Sequence, residues 1–185
     1  MLLKQIILTT LTAIFSLCLQ AQPIAPGSSV PPLVIEDRGE VTLNGDDIVY
    51  QPWSSETNPG KLHVLQYLAA TRAASKVYSR FTDSLPEKFD KADFHITTVL
   101  NLDDAMWGTS GFVVSEIESK KREFPKATLV LDEYGDGLKT WELTKKGAAI
   151  AILDKDRKVL YFTQDPMSDT DLEEMLFIVN SHIGG

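Results

Sequence analysis

The most strongly patterned stretch of the chain is Leu62-His63-Val64-Leu65-Gln66-Tyr67-Leu68. It is nearly continuous in bulky residues, as a strand covered on both faces requires. The period then changes. Ala74, Val77, Tyr78, Phe81 and Leu85 recur at helical spacing and predict an amphipathic helix. Phe94 to Leu100 reads as a second strand, followed by a loop from Asn101 to Gly108. Thr109 or Ser110 can cap the next helix, which runs to about Glu123 with Pro125 just beyond. Ala127–Leu131, Leu138–Leu143 and Ala148–Leu153 read as strands, and Asp154–Arg157 as a hairpin turn into the strand Lys158–Thr163. Ser168 opens a last helix, with Asp171 three residues on approximating a capping box. Leu172, Met175, Leu176 and Val179 form its inner face.

Upstream, Val34-Ile35 and Glu40–Leu43 are short β-like segments, and Asn44-Gly45-Asp46 signals a turn. Ile48–Trp53 adds an edge strand ended by Pro52, and Asn58-Pro59-Gly60 turns the chain into Leu62. Strand–helix–strand–helix followed by a hairpin and a helix implies an α/β domain over residues 33–185. Right-handed parallel crossovers give it a central mixed sheet flanked by helices, and the first segments form an N-terminal β extension.

Residues 1–21 read as a secretory signal. Lys4 supplies the positive start, Ile6–Leu19 is uncharged and mostly apolar, and small Ala21 suits the position before cleavage. That run is too short and too rich in Thr and Ser for a bilayer span, so no stable span is expected after cleavage. Lipidation of Cys18 is the alternative, with bulky Leu17 where a small residue is wanted. Residues 22–32, rich in Pro, Gly and Ser, read as a linker.

Composition narrows the chemistry. The formal net charge is −8, and removing Lys4 makes the chain more acidic. Without a basic run it is a poor binder of nucleic acid or anionic lipid. Lys120-Lys121-Arg122 reads as the last turn of a helix, where cations complement the dipole. The one cysteine, Cys18, lies inside the expected signal. Cleavage then leaves no disulfide, no thiolate nucleophile and no cysteine-ligated metal.

Ligands of open α/β sheets gather outside the carboxyl ends of parallel strands. Thr71–Ser75 follows the first such strand, Asn101–Thr109 follows the second, and Lys146-Gly147 is expected at the same end. Arg72 could clamp a carboxylate or phosphate, or pair with a surface aspartate. Asp103 and Asp104 could supply a base or serve as turn residues. Trp107 could anchor a partner or fold back on its helix. Thr71, Arg72, Ser75, Asp103, Asp104, Trp107 and Thr109 are therefore the candidate binding residues. No metal or other cofactor is called for. His63 and His95 read as core histidines, and His182 suits the last turn of a helix. Gly108-Thr109-Ser110-Gly111-Phe112 lacks the final glycine of a nucleophile elbow.

The segments GKLHVLQYLAATRAASK and TTVLNLDDAMWGTSGFVVSEIESKKREFP, with the signal, resemble the YtfJ family of small periplasmic proteins. Gly60–Ala70 and Ala149–Asp156 more broadly resemble extracytoplasmic thioredoxin-like oxidoreductases. The resemblance implies a thioredoxin-like fold, a periplasmic location and, for the YtfJ family, no established activity. It also shows two departures. The window where such oxidoreductases carry Cys-x-x-Cys is Thr71-Arg72-Ala73-Ala74-Ser75, and the cis-proline window is Lys146-Gly147-Ala148. The expectation is a non-redox binding or accessory module engaging a periplasmic protein or small molecule. The alternative is a cysteine-independent enzyme, with Asp104 as base and Arg72 as anion clamp. A third reading is a decayed redox protein kept for stability or assembly.

Overall fold

The structure is a computed structural model and describes residues 24–105, 108 and 110–183. The expected signal, Cys18, Trp107 and Thr109 lie outside the described residues. Seven strands form one sheet: β1 (Val34–Asn44), β2 (Asp47–Ser54), β3 (Leu62–Ala69), β4 (Phe94–Asn101), β5 (Thr128–Asp132), β6 (Ala148–Leu153) and β7 (Val159–Thr163). Their order across the sheet is β2-β1-β5-β4-β3-β6-β7. β3, β4 and β5 run parallel, and the remaining pairings are antiparallel.

The steps β3→β4→β5 proceed in one direction across the sheet. Right-handed crossovers therefore put α1 (Ser79–Lys88) and α2 (Ser110–Glu123) on the same face. α4 (Asp169–His182) packs beside α1 over Leu62, Val64, Leu68, Ile150 and Ile152. α2 covers Val41, Leu129 and Leu131. The opposite face carries Leu65, Tyr67, Val99, Val130 and Ala151, closed by Leu33, Leu138 and Trp141. The alternating faces of β3 and the fully buried β6 explain why both strands read as continuous apolar runs.

Four local readings change. The two expected β-like segments join into one strand, β1, whose register on β2 shifts between Ile35 and Glu40. Arg38 and Gly39 take positive φ at this irregularity. The helix expected from Ala74 to Leu85 is broken into a 3-10 turn, Ala74–Lys76, and α1. Tyr78 sits at the break, buried, with its hydroxyl donating to the Asp165 carbonyl at 3.0 Å. The stretch expected as a linker is docked over its described part: Ile24 and Val30 are buried, and Trp141 Nε1 donates to the Pro31 carbonyl.

The fourth change is a correction. Leu138–Leu143 is not a strand; α3 (Asp136–Thr140) occupies its first half. Asp132, at the end of β5, accepts backbone N–H bonds from Asp136 (2.9 Å) and Gly137 (2.8 Å). Gly135 enters the turn at φ +67, and Gly137 lies flat against Tyr67, where a Cβ would come within 2.4 Å of the ring. A buried carboxylate, rather than apolar alternation, decides this element.

Gly39 is the most constrained glycine among the described residues. At φ +66 its Cβ would lie 2.2 Å from the Gln51 carbonyl oxygen and 2.9 Å from that of Ile35. Both obstacles are backbone, so Gly39→Ala is expected to cost more than about 2 kcal/mol through strain and overlap. Urea unfolding checks this, with Gly45→Ala as the control, because Gly45 shares the positive φ but has open space around it.

Candidate functional site

The carboxyl ends of β3 and β4 lie side by side, Leu68 opposite Leu100 and Ala69 opposite Asn101. The chain leaves β3 in a tight turn. Ala70 N–H donates to the Asn101 carbonyl, and the Thr71 hydroxyl accepts from Ala74 N–H at 3.2 Å. Ser75 N–H donates to the Thr71 carbonyl, and the Ser75 hydroxyl donates to the Arg72 carbonyl at 3.0 Å. These bonds spend the local polar groups on the turn itself and leave the Arg72 side chain exposed.

Between this turn and α2 lies a recess of about 340 Å³. Its floor is Leu68, Ala69, Ala70 and Leu100, and its far wall is Val113 and Ile117 of α2. Thr71, Arg72, Ser75 and Lys76 form one rim, and Glu116 and Lys120 the other. Val113, Glu116, Ile117 and Lys120 fall at i, i+3, i+4 and i+7, so one face of α2 supplies that entire side. Lys120 and Glu116 are paired at 3.2 Å. Among the described residues, Arg72 and Lys76 make no side-chain ion pair.

Lys120 and Lys121, adjacent in sequence, point to different places. Lys121 is buried, and its ammonium donates to the Ala127 carbonyl at 2.6 Å, closing the turn into β5. Burial pushes its pKa below the ordinary lysine value, with Glu40 opposing. The basic triplet is thus more than dipole complement: one member faces the recess and one is structural.

The two aspartates stand apart from the recess lining. Asp103 is exposed. Asp104 Oδ2 accepts from Asn101 Nδ2 and from Lys146 N–H, both at 2.9 Å. Gly147 in turn accepts from Ala69 N–H. Asp104 therefore ties the β4 loop to the loop before β6. The sequence-derived cluster divides accordingly: Thr71, Arg72 and Ser75 share the recess, whereas Asp103 and Asp104 belong to the adjoining loop network. Trp107 and Thr109 are not among the described residues. Asp104→Ala is expected to lower stability by about 1–3 kcal/mol, by stranding Asn101 Nδ2 and loosening residues 144–147. Asp104→Asn should cost less, since one acceptor oxygen remains; thermal denaturation of both variants checks this.

Two further polar groupings lie away from the recess. The first is the Tyr67–Asp132 pair beneath α3. The Tyr67 hydroxyl donates to Asp132 Oδ2 at 2.7 Å and accepts from Leu138 N–H at 3.0 Å. Burial and the neighbouring carboxylate push the phenol far above its ordinary value. The second lies at the opposite end of the strands, where the His63 and His95 rings pack tilted to one another, centroids 5.4 Å apart. Their Nε2 atoms contact Thr97 at 2.9 Å and Thr128 at 3.0 Å. Both histidines are satisfied within the sheet, as their strand positions suggest. His182 bonds the Ile178 carbonyl in the last turn of α4.

Residues 24–182 match the family described as a bacterial protein of unknown function, YtfJ_HI0045. An uncharacterized protein of Haemophilus influenzae is 33% identical over 178 residues, covering 96% of this chain and 97% of that one. The chain belongs to the YtfJ family. A second member, the uncharacterized protein YtfJ of Escherichia coli, is 31% identical over 157 residues, 84% of this chain and 85% of its own.

Among solved structures, a thiol-disulfide isomerase of Corynebacterium glutamicum aligns with a TM-score of 0.55 at 14% identity, over 84% of this chain and 97% of that one. Mycobacterium bovis AhpC aligns at 0.54 with 12% identity, over 86% and 93%. These likenesses establish the thioredoxin-like fold for this YtfJ family member and nothing about its chemistry. No described helix is long and apolar enough to cross a membrane.

Proposed function

We propose that this YtfJ family member is an exported, thiol-free binding or accessory module that uses the recess between the end of β3 and α2. The observation that carries the reading is the recess itself, with an apolar floor and, on its rim, Arg72 and Lys76 without an ion pair among the described residues, at the carboxyl ends of parallel strands. Export follows from the signal pattern of residues 1–21, with cleavage after Ala21 and a periplasmic destination. The non-redox character rests on Cys18 being the one cysteine and on Thr71–Ser75 carrying no sulfur. The tethering of Asp104 Oδ2 by two hydrogen bonds supports binding over general-base catalysis.

A thermal-shift screen of the mature protein against organic anions, nucleotides, sugars, peptides and metal ions tests this reading. A ligand at a hundred times its Kd adds about 2.7 kcal/mol, a shift of several degrees for a domain of this size. The expected result is a shift with one class of compound that is lost in Arg72→Ala. Shifts that persist unchanged in Arg72→Ala would move the binding site elsewhere.

A further inference from the structure

We infer that the recess takes a small organic oxyanion, a carboxylate or phosphate head carried on an apolar body. This rests on the reading of the recess as a binding site and adds the chemistry of its occupant. Three features define that chemistry.

The first is size. About 340 Å³ is near the lower end of small-molecule sites, roughly 300–1,000 Å³, and suits a ligand of modest size. The second is charge. Lys120 pairs with Glu116, which leaves Arg72 and Lys76 as two cations on one rim without an ion pair among the described residues. In a chain of net charge −8 this is a local reversal of sign, and it disfavours a cationic or metal ligand. The guanidinium of Arg72 suits a planar or tetrahedral oxyanion through paired N–H donors.

The third is the floor. Leu68, Leu100, Val113 and Ile117 offer an aliphatic surface directly beside those cations. An inorganic anion would leave that surface wet, whereas an apolar tail covers it. Head and tail are both required.

Titration of the mature ¹⁵N-labelled protein with octanoate, phenylacetate and phenyl phosphate, followed by amide NMR, tests the inference. Inorganic phosphate and octanol serve as single-feature probes. The expected result is saturable shifts at residues 68–76, 100 and 113–120 with the amphiphilic anions, and far weaker ones with either single-feature probe. Arg72→Ala and Lys76→Ala should each weaken binding roughly ten-fold, the scale of one charge-assisted hydrogen bond. Carboxylates outcompeting phosphates, or the reverse, identifies the head.

Saturable binding of octanol at the recess as tight as octanoate would overturn the oxyanion assignment while leaving the recess a binding site. Amphiphilic anions that bind no tighter than inorganic phosphate would overturn the apolar tail. No recess perturbation by any of these probes would overturn the inference, and the wider reading falls only if the thermal-shift screen is also silent at Arg72. Both substituted side chains are exposed, so the variants are expected to fold, and their unperturbed amide spectra outside the recess verify it.

Discussion

Asp132→Ala is expected to be among the most destabilising single changes in this protein, at about 3–5 kcal/mol. The carboxylate is fully buried and accepts three hydrogen bonds, from Asp136 N–H, Gly137 N–H and the Tyr67 hydroxyl. Removing it strands two buried donors, the Tyr67 hydroxyl and Gly137 N–H, each costing about 1–3 kcal/mol before relaxation, and frees the half-buried Asp136 N–H. It also removes the acceptor that starts α3, and with it the packing of Trp141 edge-on against Tyr67 at 5.8 Å. Tyr67→Phe should cost less, about 1–2 kcal/mol, since it strands Leu138 N–H and one carboxylate lone pair. Urea unfolding of the three proteins measures the difference. Equal losses for Tyr67→Phe and Asp132→Ala would show that the hydroxyl, not the two backbone donors, dominates the carboxylate's role.

Acidification is expected to unfold the protein through His63. Burial, then the neighbouring His95 and Arg157, pull its pKa down to about 3. His95 is lowered in the same direction by burial and by Lys61 and Lys121. The unfolded chain therefore binds a proton near pH 6.5 that the folded protein refuses until about pH 3. Stability is undiminished above pH 6.5 and falls as the pH drops through that window. At pH 4 the penalty from His63 is about 3 kcal/mol. Glu40, which lines a small cavity together with His63 and His95, has its pKa raised by burial, so it takes up its proton earlier and partly opposes this slope. His63→Gln keeps a side-chain partner for Thr97 without titrating. It should flatten stability between pH 6.5 and 4, as followed by denaturant midpoints across that range. A variant as acid-sensitive as the natural protein would remove His63 from the account.

The fold was legible in the chain because its strongest signals coincide with its most buried strands. β3 and β6 are covered on both faces and read as apolar runs, and the Ser168–Asp171 capping box marks the start of α4. α3 was not legible. Leu138 and Trp141 pack inward from a helix whose start is set by a carboxylate on another element and by a glycine flattened against Tyr67. Such a start has no local period to read. The irregularity at Arg38–Gly39 is equally non-local, since it reflects contact with Gln51 of the neighbouring strand.

One rim of the candidate recess was legible for a similar reason. Thr71, Arg72 and Ser75 follow directly from the position of β3, and they do line one recess. Lys76, Glu116 and Lys120 were missed, although their signal was present. The i, i+3, i+4, i+7 run from Val113 to Lys120 marks one helix face, and Lys120 serves both that face and the helix dipole. Asp103 and Asp104 were grouped with Arg72 by shared sheet end, but hydrogen bonding turns Asp104 toward Asn101 and Lys146 instead.

The most direct test of the binding claim is an amide NMR spectrum of the labelled protein, residues 22–185, recorded in buffer and then with octanoate or phenyl phosphate. The account predicts shifts concentrated at residues 68–76, 100 and 113–120, abolished in Arg72→Ala. Shifts concentrated around His63 and His95, or along α4, with the recess silent, would contradict it.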